Sequence, residues 1–276
     1  METKERNILN VRDLQVQVRS KEGLFTLVKD INFGIEKGKI LGLVGESGSG
    51  KTVTSMSILQ LHDRKKVDIK GSITLNGQEL NGLDNKEMRK IRGKDIAFIM
   101  QNPMNAFTPV FTIGYQFVET IRSHTSLKKK QAKELAIDVM QSVNLPEPDK
   151  LLKYYPFQLS GGMLQRVMIA MAAVLHPSVI IADEPTTALD LHNQLLVLRL
   201  LDEIRNKYET SILLISHDLG VISEMADEVI VMKTGRIVET ANVYQLFDNP
   251  QHEYTKRLLN TRPTLNLEQQ TITHML

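Results

Sequence analysis

The stretch GESGSGKT, Gly45 to Thr52, decides the reading of this chain. It follows the apolar run KILGLV (Lys39 to Val44) and leads into VTSMSILQL, which reads as a helix. Strand, glycine-rich turn and helix in that order give the pattern G-x-x-x-x-G-K-[ST] its physical meaning. Gly45, Gly48 and Gly50 permit backbone conformations closed to other residues and a close approach to a ligand. The exposed N–H groups, those of Glu46, Ser47 and Ser49 among them, then cradle phosphate together with the helix N-terminus. Lys51 is expected to reach the β- and γ-phosphates of a nucleotide, and Thr52 to offer its hydroxyl to Mg²⁺.

Outward from this loop, the chain divides by periodicity. Residues 8–18 and 26–38 alternate apolar and polar, as half-buried strands do. GSITLNGQEL (71–80) is a further strand that turns at Asn76-Gly77, a strong hairpin dipeptide. DIAFIM (95–100) reads as a buried strand. From about 112 to 175 the period is helical. Leu127, Ala132, Leu135, Ala136, Val139, Met140 and Val143 form one stripe, with Ser126 as the expected N-cap and Pro146 and Pro148 as the terminators. Strand and helix then alternate: strands over 178–183, 210–216 and 228–233, helices from about 189 to 207 and 218 to 225, and a turn at Thr234-Gly235. Short apolar strands alternating with helices predict a parallel sheet covered on both faces. From about 241 a short helix and a polar end are expected.

Composition narrows the chemistry. The chain has 276 residues and no cysteine, which excludes disulfides, thiolate metal sites and a cysteine nucleophile. A net charge of +2 makes no electrostatic case for nucleic acid. No segment approaches the eighteen or so apolar residues of a spanning helix, so any membrane role is expected through partners. The seven histidines and twelve methionines show no metal-ligand spacing.

Four further features suit phosphate chemistry. SVIIADEP ends a buried strand in Asp183 and Glu184, one placed for Mg²⁺ and the other for an attacking water. His217 sits where a strand gives way to a helix, within reach of a γ-phosphate; a cap or surface histidine is the plainer reading. Gln101 closes the strand DIAFIM and is either a strand terminator or a contact to metal or water. In LSGGMLQR, Ser160, Gly161 and Gly162 open a helix, a second anion site suited to completing the nucleotide site of a facing subunit, or an ordinary N-cap.

Taken in order, GESGSGKT, Gln101, LSGGM, IIADEP, TALD (187–190) and His217 resemble the ATP-binding subunit of ABC transporters over nearly the whole chain. The resemblance implies an α/β P-loop NTPase fold with a parallel-sheet core, an N-terminal antiparallel β layer and an inserted α-helical subdomain. It implies an ATPase domain over 1–240, a helical lobe at about 102–165 and a C-terminal extension over 241–276. It makes Gly45 to Thr52 the Walker A loop, Asp183 and Glu184 the end of Walker B, Leu189-Asp190 part of the D-loop, Gln101 the Q-loop residue and His217 the switch histidine. ATP and Mg²⁺ are the implied cofactors, with Thr52, Gln101 and Asp183 toward the metal. A second ATPase subunit, favoured as a different chain, two integral membrane permease subunits and, indirectly, an extracellular substrate-binding protein are the implied partners, at the cytoplasmic face of the cell membrane.

Two departures stand out. Met163 occupies a position where many members carry glutamine. The family stacks adenine on an aromatic after the first strand, where this chain has Val18; Phe25, in the loop expected to follow, is the substitute. VGESGSGKT, QNPMNAFTP, LSGGM and FDNPQHEYTKRLL look like the peptide/nickel importer branch. The absence of a cysteine cluster leans the reading toward nickel or another metal, free or chelated, with oligopeptide as the alternative. Non-transport ABC ATPases and a non-hydrolysing module are the remaining readings.

Overall fold

A computed structural model describes residues 7–21, 23–187 and 189–260. Ten strands are present among them: β1 (Asn7–Ser20), β2 (Gly23–Glu36), β3 (Ile40–Val44), β4 (Val67–Leu75), β5 (Gln78–Glu79), β6 (Ile96–Ile99), β7 (Val179–Asp183), β8 (Ser211–Ile215), β9 (Glu228–Lys233) and β10 (Arg236–Asn242). They form two sheets. The first is antiparallel, in the order β2-β1-β4-β5, and the second runs β10-β9-β3-β8-β7-β6. In the second, β9, β3, β8, β7 and β6 are parallel and β10 is an antiparallel edge.

The parallel strands β3, β7 and β8 are buried at every position. That is why they read as continuous apolar runs, since both faces are covered. Leu41, Leu43, Ile181 and Leu213 face the antiparallel layer and pack with Leu14, Ile31 and Ile73. Ile40, Val44, Ile180 and Leu214 face the other way, into the core built with the helices. The sheet is thus the middle layer, and period-2 alternation sorts its residues between two cores.

Helices follow strands. α1 (Lys51–Ile58) leaves the phosphate loop after β3, and α2 (Asn85–Ile91) follows β5. Between β6 and β7 lie α3 (Ile113–His124), α4 (Lys129–Ser142), α5 (Pro148–Leu151) and α6 (Gly161–Ala173). Beyond β7 come α7 (Leu191–Tyr208), α8 (Leu219–Met225), α9 (Val243–Asp248) and α10 (Glu253–Asn260).

Several local expectations change. α4 starts later than the sequence suggests, with Lys128 rather than Ser126 at the N-cap. The Gln131 side chain accepts from the Lys128 amide at 3.0 Å, while Ser126 is exposed. Neither proline ends α4. The helix stops at Ser142, Asn144 takes a left-handed φ of 56°, and Pro148 opens α5; its fixed φ suits a first helical turn. Two elements escape the periodicity reading. β10 is half-exposed with no clean alternation, and α2 is announced only by its capping box, in which Asp84 and Glu87 satisfy each other's amides. The Asn76-Gly77 turn forms as expected, with φ of 50° and 78°, the left-handed pair that a two-residue hairpin needs.

Candidate nucleotide site

The phosphate loop joins the end of β3 to the start of α1. Gly45 has φ 152°, and a Cβ there would fall on the Met232 carbonyl oxygen. Gly50 is the N-cap of α1 at φ 111°, with no side-chain cap to the first turn. The amides that open α1 therefore stay available to an anion, at the positive end of the helix dipole. Lys51 is buried, and its Nζ donates to the Gly45 carbonyl at 2.6 Å and to that of Glu46 at 3.0 Å. Burial pushes this ammonium below the ordinary lysine range, against the opposing pull of Glu184 and Asp183.

The loop is also held from outside. The turn joining β9 to β10 places Gly235 so that its N–H donates to the Ser49 carbonyl at 2.8 Å, while its own carbonyl accepts from the Lys29 amide at 2.8 Å. Gly235 has φ 80°, and a Cβ there would strike the Leu27 carbonyl. This glycine joins both sheets to the loop.

A cleft of about 640 Å³ opens over the loop, lined by Leu27, Ser47, Gly48, Gly50, Lys51, Thr52, Val53, Gln101, Glu184 and His217. The ends of three neighbouring strands supply its polar wall: β6 leads to Gln101, β7 through the buried Asp183 to Glu184, and β8 to His217. Adjacent strand ends bring residues 83 and 33 positions apart into contact. Gln101 Nε2 donates to Glu184 Oε2 at 2.6 Å, and Thr187 Oγ1 donates to the same oxygen at 3.0 Å. His217 Nδ1 lies 2.9 Å from Glu184 Oε1; a carboxylate only accepts, so this contact puts a proton on Nδ1. Glu184 itself has φ 49°, a left-handed conformation that costs a side-chain-bearing residue on the order of 1–3 kcal/mol. Its amide is secured to the Ile215 carbonyl at 2.8 Å.

Asp183 is buried beside Lys51. Burial pushes its carboxyl above the usual range, with Glu184 adding to the push, while the Thr52 hydroxyl bond and the Lys51 charge resist it. The Thr52 hydroxyl and the Asp183 carboxylate are hard oxygen donors set side by side, with the Gln101 amide across the cleft, a donor set that fits Mg²⁺. Among the described residues no group of three or more His, Asp or Glu side chains is arranged to hold a metal by itself.

Four of the sequence candidates, Ser160, Gly161, Gly162 and Phe25, lie elsewhere. Ser160, Gly161 and Gly162 are not in the cleft wall. Ser160 caps α6 by accepting from the Met163 amide at 3.3 Å, and Gly161 has open space around its Cα. Phe25 belongs to β2, paired with Val18, rather than to a loop. It is exposed and does not line the cleft, where Leu27, one pleat further along the same strand, does. Sequence reasoning missed Thr187 and Gly235 as parts of the site. Thr187 stood in the quoted TALD segment, and Gly235 was visible only as a turn.

Comparison with known proteins agrees with the fold. Residues 28–187 match the family model described as ABC transporter. A putative peptide import ATP-binding protein of Brucella abortus is 43% identical over 94% of this chain and 78% of its own length. The oligopeptide transport ATP-binding protein AppD of Bacillus subtilis is 45% identical over 95% of this chain and 80% of its own. Among solved structures, the dimeric post-hydrolysis state of the ATP-binding cassette MJ0796 with ADP and Pi superposes with a TM-score of 0.75, at 25% identity, over 85% of this chain and 98% of that one. Among the described residues no helix is long and apolar enough to cross a membrane. A phosphate loop under three polar strand ends, in a chain so matched, is that of an ATP-binding subunit, and the protein belongs to the ABC transporter family, whose members couple ATP hydrolysis to transport.

Proposed function

We propose that this chain energises an importer of oligopeptides or dipeptides at the cytoplasmic face of the cell membrane. The observation that carries the catalytic part is the convergence of Gln101, Thr187 and His217 on the Glu184 carboxylate at the mouth of the cleft. The peptide names of relatives that align over almost the whole chain support the cargo class. They favour peptide over the nickel to which the sequence leaned.

In this reading the loop amides from Gly48 to Thr52 and the Lys51 ammonium hold the β- and γ-phosphates. Thr52 and Asp183, with Gln101 nearby, would hold Mg²⁺, which would neutralise phosphate charge. Glu184 accepts a proton from the attacking water, and Gln101 and Thr187 fix the carboxylate for that task. His217, oriented through Nδ1, presents its ring to the γ-phosphate. Catalysis is then positioning plus electrostatic stabilisation. Ser160, Gly161 and Gly162 lie outside this chain's cleft and complete the site of a second ATPase subunit, favoured as a different chain. Two membrane permeases and, through them, an extracellular substrate-binding protein make up the rest, and no nucleic acid takes part.

The test is uptake of a labelled tripeptide and of labelled nickel, side by side, in cells carrying either the native chain or Glu184→Gln. Loss of peptide uptake alone supports the reading. Loss of nickel uptake alone overturns the cargo and leaves the mechanism.

A further inference from the structure

The segment FDNPQHEYTKRLL contributes a residue that reaches the phosphate loop from the far end of the chain. Tyr254, in α10, is 5% exposed, and its hydroxyl accepts from the Glu46 amide at 3.1 Å across 208 residues of sequence. That N–H belongs to the Gly45–Glu46 peptide unit. The carbonyl of the same unit accepts from Lys51 Nζ at 2.6 Å. One peptide plane is therefore gripped at its N–H by Tyr254 and at its C=O by the phosphate-binding lysine. Because a peptide unit is planar, fixing one end fixes the direction of the other.

The tyrosine is itself seated firmly. Lys233, at the end of β9, lies 4.7 Å above its ring, a cation–π contact. The Tyr254 amide donates to His252 Nδ1 at 3.0 Å. The Glu239 carboxylate, in β10, accepts from the amides of Gln251 and His252 at 2.7 and 3.0 Å, pinning the turn before α10. Burial opposes the charge on Glu239, yet these amides hold its carboxyl below the usual range.

We propose that Tyr254 is a positioning residue for nucleotide binding: it orients the Gly45–Glu46 peptide and, through that carbonyl, the Lys51 ammonium. This rests on the reading of the loop as the ATP site. The C-terminal segment is thus part of the nucleotide-binding apparatus and not only an appendage to it.

The experiment uses the full chain and Mg²⁺-ATP, with affinity by calorimetry, KM and kcat, thermal midpoint, and amide exchange at Glu46. Tyr254→Phe keeps the ring and its contact with Lys233 and removes only the hydroxyl. Loss of one hydrogen bond of ordinary worth predicts a roughly 2–10-fold weaker ATP affinity and a raised KM. With it go an unchanged kcat at saturation and faster exchange at Glu46. Tyr244→Ala, at an exposed position of α9, changes none of these. Lys51→Ala separates the two layers. If it abolishes ATP binding while Tyr254→Phe binds as the native chain does, the proposal fails and the ATP site stands. If Lys51→Ala also binds normally, the ATP-site reading itself falls. A lowered midpoint with unchanged KM makes Tyr254 structural only and overturns the proposal. If Tyr254→Phe does not fold, Glu239→Ala, which frees the turn that seats the tyrosine, is read by the same criteria.

Discussion

Two of this chain's glycine-bearing helix starts, at α1 and at α6, are built in opposite ways. At the entrance to α1, Gly45 and Gly50 are hemmed in: Gly45 by the Met232 carbonyl and the Ser49 side chain, Gly50 by Met232 and Leu27. The loop between them is held by Gly235 and Tyr254. At the entrance to α6, a Cβ on Gly161 would meet open space, and one on Gly162 would first meet the Asn193 side-chain amide of α7, at 2.7 Å. The first site is shaped by its own chain. The second is left open by its own chain at Gly161.

The sharpest break in this comparison is chemical. Glu184→Gln should lower ATP hydrolysis by about 10²–10⁴, the usual worth of a general base, while nucleotide binding persists. A steady-state phosphate-release assay beside calorimetry checks it, and hydrolysis at the native rate would remove Glu184 from its role. Next comes Gly45→Ala, which forces a side chain into a left-handed backbone against a fixed carbonyl. Urea unfolding should show a loss of about 2–4 kcal/mol.

A smaller effect concerns pH. The Asp183 carboxyl is pushed up by burial, so in its range the native state binds a proton more readily than the unfolded chain. Its contribution is fully present below the ordinary carboxylate value of 3.8 and is lost as pH rises through the raised native value. Asp183→Asn should therefore melt higher than the native chain at pH 7, with the gap closing as pH falls toward 4. A gap that widens on acidification would reverse the sign. The smallest effect is Gly161→Ala. With open space at that position, unfolding should shift by no more than about 1 kcal/mol, toward greater stability. Any functional loss should then appear only where a second subunit is present.

The contrast also marks what was readable in the chain. The first helix start was legible because strand, turn and helix are adjacent, and three glycines in eight residues have few other uses. The two carboxylates of β7 were legible as a strand ending in acids. The bonds among Gln101, Glu184 and His217 were not, because only the order of β6, β7 and β8 in the sheet makes them neighbours. Gly235 and Tyr254 were hidden for the same reason: each meets the loop across more than 180 residues. Phe25 was misplaced because β2 begins earlier than its alternation suggests, at Gly23, which absorbs the expected loop into the strand. Ser126 lost the cap of α4 to Gln131, whose side chain reaches back to accept from the Lys128 amide, a contact that rankings of single residue types do not weigh.

The left-handed backbone at Glu184 sets two demands against each other. Glycine at that position would relax the backbone, and Gln101 and His217, both exposed, would return to water at small cost. At this position the residue that suits the backbone and the residue that presents a carboxylate are different ones, so stability and chemistry pull in opposite directions.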